Sequence, residues 1–183
     1  ELPRNIQKSK VKSVVTIHDL IFLRHPEWYN RFDRSIYKTK LRFSCNKADR
    51  IIAISEQTKR DIIDFYGIED QKIEVVYQTC HDIFKQKVSE IDKEETIRKF
   101  NLPEKFMLYV GTIEERKNLL NIVKAISVGN VDIPLVAIGR KTKFYKKVKN
   151  FIETKNLKNI QFIDEIDVLD LPAIYQLTYL FIY

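Results

Sequence analysis

The residues able to do chemistry in this chain stand just past runs of apolar residues. The stretch "MLYVGTIEERKNLLNIV", Met107 to Val123, ends an apolar run at Gly111, places two acids and two bases after it, and then starts a helical pattern. The first turn of a helix leaves N–H groups unpaired and carries partial positive charge, so Arg116 and Lys117 at its mouth are unfavourable by about 0.3–1 kcal/mol. A phosphate reverses that sign, because it takes the open N–H groups and the side-chain cations together. Gly111, Thr112, Arg116 and Lys117 therefore read as a diphosphate cradle, with Gly111 letting the backbone come close. The structural alternative is that Glu114 and Glu115 satisfy the helix dipole while Arg116 and Lys117 are solvated. The loop is neither GxGxxG nor GxxxxGK[ST], so neither standard nucleotide fingerprint applies.

Other polar residues share this position. His18 and Asp19 follow "KSVVTI", and a His-Asp pair after a buried strand can be a general base, a ligand for an acceptor hydroxyl, or a capping pair. "RHPEWYNRFD" adds aromatics and Arg nearby, either as a loop over a sugar or as a packed surface loop. Gly139, Arg140 and Lys141 follow "IPLVAI", and Asp164 and Glu165 follow "NIQFI". No metal site is expected, since His18, His25 and His81 have neither zinc-type spacing nor cysteine companions. Cys45 and Cys80 match no CxxC pattern and read as two reduced thiols.

Short apolar runs alternating with amphipathic stretches must position these residues. Strands are expected at "KSVVTIHD", "RIIAIS", "KIEVVYQ", "KFMLYVG", "IPLVAIG", "NIQFID" and "YLFIY", the last reading as buried. Between them the spacing predicts helices over 33–48, from Ser55 as N-cap to Gly67 as stop, over 93–100, from Lys117 to about Ser127, and over "TKFYKKVKNFIETKN" and "LDLPAIYQLT". Such alternation implies two parallel α/β units, and ligands of open parallel sheets collect at the carboxyl ends of strands. The expected boundaries are a first domain over 1–78, a polar connector over 79–105 and a second domain over 106–183. Both domains are expected to be incomplete, the chain being cut at both ends.

Composition agrees with a globular protein: 183 residues, 44% hydrophobic and 31% charged. No run approaches the ~20 apolar residues that span a bilayer, and "ELPRNIQKSK" lacks the apolar core of a signal peptide, which argues for a cytoplasmic location. The net charge of +7 suggests an anionic partner: nucleic acid, a phosphorylated ligand or an anionic membrane face. Much of the excess lies in "GRKTKFYKKVKN".

Taken together, "VTIHDLIFLRHPEWY", "ADRIIAISEQTKRDI", "IEVVYQTCHDIF", "LYVGTIEERKNLLNIVKAI", "LVAIGRK" and "LPAIYQLTYLFIY" resemble consecutive landmarks of group 1 (family 4) glycosyltransferases, most closely a bacterial mannosyltransferase-like branch. The resemblance covers nearly the whole chain. It implies a GT-B architecture of two Rossmann-like domains with the active site between them, the first holding the acceptor and the second the donor. It implies retaining, metal-independent transfer of a hexose from a nucleotide-diphosphate sugar, with mannose from GDP-mannose as the branch's expectation. The acceptor would be a glycan or a lipid-linked glycan in polysaccharide or cell-envelope synthesis. By the same resemblance Lys117, with Arg116 beside it, would bind the donor diphosphate. Thr112 stands where relatives often carry Arg. Gly139, Arg140 and Lys141 would lie near the nucleotide, and Asp164, Glu165 and Ile166 would border the base. His18 resembles an active-site histidine beside the transferred sugar, with Asp19 holding or orienting it. The family's N-terminal glycine loop and its C-terminal acidic pair are not in this sequence, so the 183 residues alone are expected to be inactive or nearly so. Nucleic acid is not an expected partner of such an enzyme. Peripheral contact with the inner face of an anionic membrane, through the basic helix Lys143 to Lys149, is compatible with it. The competing reading is a non-catalytic basic α/β module that binds nucleic acid or an anionic membrane surface.

Overall fold

The computed structural model describes residues 11–164 and 166–183. The chain divides into two compact units, Glu1–Thr79 and Cys80–Tyr183. The first ten residues of the expected 1–78 domain lie outside the described residues.

In the first unit, β1 (Val14–Ile17), β2 (Arg50–Ala53) and β3 (Ile73–Val75) form a parallel sheet in that order. In register, Ile17 lies beside Ala53 and Ile51 beside Ile73. One face of this sheet is the core: Ile17, Ile51, Ala53 and Ile73 are buried with Cys45 and Ile62. Two helices supply those last residues, α2 (Arg31–Lys47) and α3 (Glu56–Tyr66); a single short turn, α1 (Ile21–Arg24), precedes them. The opposite face carries Val14, more than half exposed, together with Thr16 and Glu74. The limits of α3 are set locally. Ser55 Oγ accepts from Thr58 N at 3.1 Å, and Gly67 takes the left-handed conformation (φ 66°) that stops the helix.

The second unit is a four-stranded parallel sheet in the order β6-β5-β4-β7. Its strands are β4 (Met107–Val110), β5 (Leu135–Ile138), β6 (Ile160–Ile163) and β7 (Leu180–Phe181). Alternation splits its apolar residues between two faces. Met107, Tyr109, Leu135 and Ala137 pack against α5 (Leu119–Val128) and α6 (Tyr145–Thr154). Leu108, Val136 and Ile138 pack against α4 (Glu90–Phe100) and α7 (Leu171–Leu177). A continuous apolar run such as "LVAI" is what a parallel strand covered on both faces requires, and all four residues of β5 are buried.

Three expectations differ from this structure. Within the polar stretch 79–105, α4 begins at Glu90, three residues before its expected start, and Ile97 and Phe100 join the second unit's core. The terminal run "LTYLFIY" forms an edge strand paired with β4 alone, so Leu180 and Phe181 are substantially exposed instead of buried. The helix expected from Lys117 begins at Leu119, because Asn118 takes a left-handed conformation (φ 61°) that interrupts the spiral.

Candidate functional site

The carboxyl ends of β4, β5 and β6 are stitched into one surface. Val110 pairs with Ile138, and Ile138 with Ile163, so Gly111, Gly139 and Asp164 leave their strands side by side. Hydrogen bonds continue past the strands: Gly111 N donates to Ile138 O at 2.9 Å, Gly139 N to Ile163 O at 3.0 Å, and Ile113 N to Arg140 O at 3.0 Å. Thr142 adds a side-chain tie, its Oγ1 donating to Ile113 O at 2.5 Å. Gly139 makes the close approach possible. A Cβ on it would stand 2.0 Å from Gly111 O, and its φ of 150° is one that other residues rarely adopt.

Within this frame, Gly111, Thr112, Arg116 and Lys117 lie on one loop. The buried Tyr109 supports it from below, its hydroxyl donating to Thr112 O at 3.4 Å. Burial, the first cause, pushes the Tyr109 phenol up to about 12. Arg116 and Lys117 do not start the long helix; they occupy a 3-10 turn, Glu115–Lys117, ahead of it. The cations therefore stand one turn ahead of the helix mouth. Asn121 N and Ile122 N both donate to Asn118 O, and Leu119 and Leu120, which open α5, are buried. Arg116 Nη2 pairs with Glu114 Oε1 at 2.7 Å, both about one-third exposed. Lys117 Nζ meets the Tyr183 hydroxyl and lies 4.5 Å from the centre of its ring. Pairs this exposed are worth about 0–1 kcal/mol.

On the neighbouring loop Lys141 pairs with Asp164 at 2.5 Å, the first cause of its raised pKa, and its Nζ lies 4.8 Å from the centre of the Tyr145 ring. Arg140 is exposed and Ile166 half-buried. Glu165 lies outside the described residues. Gly139, Arg140, Lys141 and Asp164 thus share the surface that carries Gly111, whose loop bears Arg116 and Lys117.

In the first unit His18 and Asp19 are exposed and follow β1. Asp19 does not hold the His18 ring among the described hydrogen bonds; its Oδ1 accepts from Ile21 N at 3.1 Å and caps the turn α1. What fixes His18 is its own carbonyl, which accepts from Thr58 Oγ1 at 3.0 Å at the start of α3. A clamp in the same unit has no local signature: Arg24 grips the buried Asp61 through Nε and Nη2, at 2.9 and 2.6 Å, while Gln57 Nε2 donates to the same Oδ1 at 2.8 Å. These partners are 37 residues apart, and only the helical spacing of Gln57 and Asp61 was visible locally. In the loop before α2, His25 stacks on Trp28 with ring centres 4.0 Å apart. Among the described residues, no group of three His, Cys, Asp or Glu side chains stands close enough to hold a metal ion. Nor is any described helix long and apolar enough to cross a membrane.

Known proteins match this chain along its length. Residues 90–183 match the family model described as Glycosyl transferases group 1, and residues 2–80 that described as Glycosyltransferase Family 4. The O-antigen chain mannosyltransferase RfbU of Salmonella typhimurium is 21% identical over 92% of this chain and 44% of its own. The serotype-specific mannosyltransferase WbdA of Escherichia coli is 26% identical over 94% of this chain and 22% of its own. The chain therefore spans less than half the length of these two relatives. Anabaena Alr3699/HepE, solved in complex with UDP and glucose, superposes with a TM-score of 0.71 at 17% identity, covering 92% of this chain and 45% of that one.

Proposed function

Because the chain belongs to the group 1 glycosyl transferases and has a GT-B-type fold, we propose that the protein it forms part of transfers mannose, with retention, from GDP-mannose to a glycan or lipid-linked acceptor. Two mannosyltransferases among the similar proteins support the choice of sugar. The observation that carries the reading is the stitched surface at β4, β5 and β6, where Arg116, Lys117, Arg140 and Lys141 emerge from adjoining loops. In this reading the donor diphosphate lies along 111–117. It replaces Glu114 as the partner of Arg116 and Tyr183 as the partner of Lys117. Two negative charges presented together outcompete two exposed, singly charged or neutral partners. Arg140 and Lys141 serve the nucleotide, and Asp164, Glu165 and Ile166 border the base.

The catalytic contribution of these residues is electrostatic. As the glycosidic bond to phosphate breaks, charge grows on the leaving diphosphate, and cations fixed in place stabilise it without reorganising. Retention then follows a same-face, substrate-assisted route in which the acceptor hydroxyl attacks from the side the diphosphate leaves and passes its proton to an oxygen of the departing diphosphate. His18 serves the sugar being transferred, with its main chain fixed by Thr58, and Asp19 keeps the turn after it in shape. The domain roles follow the same reading, the residues up to 78 serving the acceptor and those from 106 the donor. No metal is required by this arrangement of cations.

Calorimetry on the full-length protein with GDP, UDP, ADP and their sugars tests the reading. GDP and GDP-mannose should bind most tightly, and Lys117→Ala should weaken them at least tenfold, about 1.4 kcal/mol. A preference for UDP and UDP-glucose would overturn the donor assignment while leaving the diphosphate cradle standing. Nucleotide binding indifferent to Lys117→Ala and Arg116→Ala would overturn the cradle itself. Steeply salt-dependent binding to nucleic acid without nucleotide binding would replace the enzyme by a polyanion-binding module.

A further inference from the structure

The segment that follows β1 is held by α3 at both of its ends. It runs from the exposed His18 to Arg24, and the buried Leu20 and Phe22 root it in the first unit's core. The turn inside it, α1, has only four residues, and a helix this short is unstable on its own in water. Its placement must therefore come from tertiary contacts. At the near end Thr58 Oγ1 donates to His18 O at 3.0 Å. At the far end Arg24 Nε donates to Asp61 Oδ1 at 2.9 Å and to Oδ2 at 3.1 Å, and Nη2 donates to Oδ1 at 2.6 Å. Thr58 and Asp61 stand one turn apart on α3, so one face of that helix serves both ends. The Asp61 side chain is 6% exposed and that of Arg24 45% exposed. Gln57 Nε2 fastens the same carboxylate from one turn earlier, at 2.8 Å.

We infer that Arg24 is a positioning residue for sugar transfer: its two-point grip on Asp61 fixes the turn α1 against α3 and so sets where His18 is presented. The role rests on the proposed function, in which His18 serves the sugar being transferred. Geometry accounts for the residue type. A guanidinium meets both oxygens of a carboxylate in one plane, which sets angle as well as distance, whereas an ammonium neutralises the same charge from one point. The pair is also one-sided. Asp61 is buried and tied by Gln57, so the carboxylate is the anchor and the segment bearing Arg24 is what it holds. The other ion pair of α3, Lys59 with Asp70 at 2.8 Å, ties the helix to the turn before β3 and does not reach residues 18–24. Displacing a group at a reacting centre by about 1 Å can cost about a hundredfold in rate, so a loosened turn should be visible in turnover.

Steady-state release of GDP from GDP-mannose by the full-length protein, with octyl α-mannoside as acceptor, tests the role. Arg24→Lys is the informative variant, because it keeps a cation on the buried carboxylate while giving up the two-point grip. Its kcat should fall by about ten- to a hundredfold. Its melting temperature, its KM for GDP-mannose and its affinity for GDP should stay near the parent's, since the donor residues belong to the second unit. Thr58→Val frees the other end of the segment and should lower kcat in the same way with the Arg24 pair intact. In a His18→Ala background Arg24→Lys should add no further loss, because it acts through that histidine. Hydrogen exchange at the amides of Leu23 and His25, which close the turn α1, should quicken in Arg24→Lys. Lys59→Gln, which breaks the other ion pair of α3, should leave kcat unchanged. Parent-like turnover in Arg24→Lys would overturn the role, as would losses that multiply with that of His18→Ala, or unaltered exchange at Leu23 and His25. An equal loss of kcat in Lys59→Gln would assign the effect to α3 as a whole and overturn it too. A parent protein that releases no GDP would overturn the proposed function and this role together. One that releases GDP while Arg24→Lys keeps pace with it would overturn the role alone.

Discussion

Replacing Gly139 by Ala should damage the candidate donor site from beneath while touching none of its charged side chains. The added Cβ would lie 2.0 Å from Gly111 O and 2.6 Å from Gly111 C. Carbon-to-oxygen contacts between unbonded groups settle near 3.3 Å at the closest, so the two loops must part by more than about 1 Å. Both obstacles are backbone, and no rotamer change relieves them. The φ of 150° adds strain for any residue with a Cβ. Overpacking costs about 1–3 kcal/mol and a sparsely populated backbone conformation a similar amount, so about 2–6 kcal/mol is expected together. At about 2–4 °C per kcal/mol for a chain of this size class, the melting temperature should fall by roughly 4–24 °C. Parting the loops also strains the Gly111 N to Ile138 O and Ile113 N to Arg140 O hydrogen bonds that shape residues 111–117. Calorimetry should therefore show weaker nucleoside diphosphate binding, by at least about tenfold. Gly67→Ala is the control, because nothing lies within 4 Å of its added Cβ and only the left-handed φ of 66° is strained. It should cost about 1 kcal/mol and leave nucleotide binding intact. Unchanged stability and unchanged affinity in Gly139→Ala would refute the claim that the two loops are held together through this contact.

Thr142→Val removes the hydroxyl that ties the loop after β5 to Ile113 O and accepts from Phe144 N, so stability should fall by about 1 kcal/mol in denaturant titration, with nucleotide affinity falling alongside. Thiol labelling of the native protein followed by peptide mapping should modify exposed Cys80 quickly and buried Cys45 only on unfolding, because burial pushes the Cys45 thiol up to about 11. Asp49 is held at about 2, below its ordinary 3.8, first by Lys12 and then by Ser13. A depressed carboxylate stabilises the fold above its unfolded value and loses that contribution as pH falls through the folded one. Acid unfolding between about pH 4 and pH 2 should therefore be less steep in Asp49→Asn than in the parent, as read by circular dichroism against pH.

What the residues disclosed beforehand follows the range of the interactions involved. The α3 helix was legible at both ends because its cap, Ser55 to Thr58, and its stop, Gly67, act within a turn of the chain. The strands β4 and β5 were legible because burial on both faces demands unbroken apolar runs, and the two-unit α/β organisation followed from the alternation. The break at Asn118 was not legible, since asparagine also sits comfortably inside or at the end of a helix and only the surrounding loop selects its left-handed form. Nor was the reason for Gly139, whose neighbour in space, Gly111, is 28 positions away. The family resemblance implied that Asp19 would hold or orient His18, yet the carboxylate accepts from Ile21 N and the His18 carbonyl is held by Thr58, forty residues on. Side chains next to each other after a strand compete with the backbone amides that follow, and the nearer donor won.

The turn that bears Arg116 and Lys117 is moored at each end, at Ile113 to the adjoining loop and at Leu119 to the interior. Its span is therefore set by the scaffold, while the outward side chains it displays answer to nothing but their own neighbours. A stretch built this way tolerates exchange of one residue for another far better than the gain or loss of one. Changes in which anion it prefers can accumulate there by simple replacement, with the underlying sheet left undisturbed.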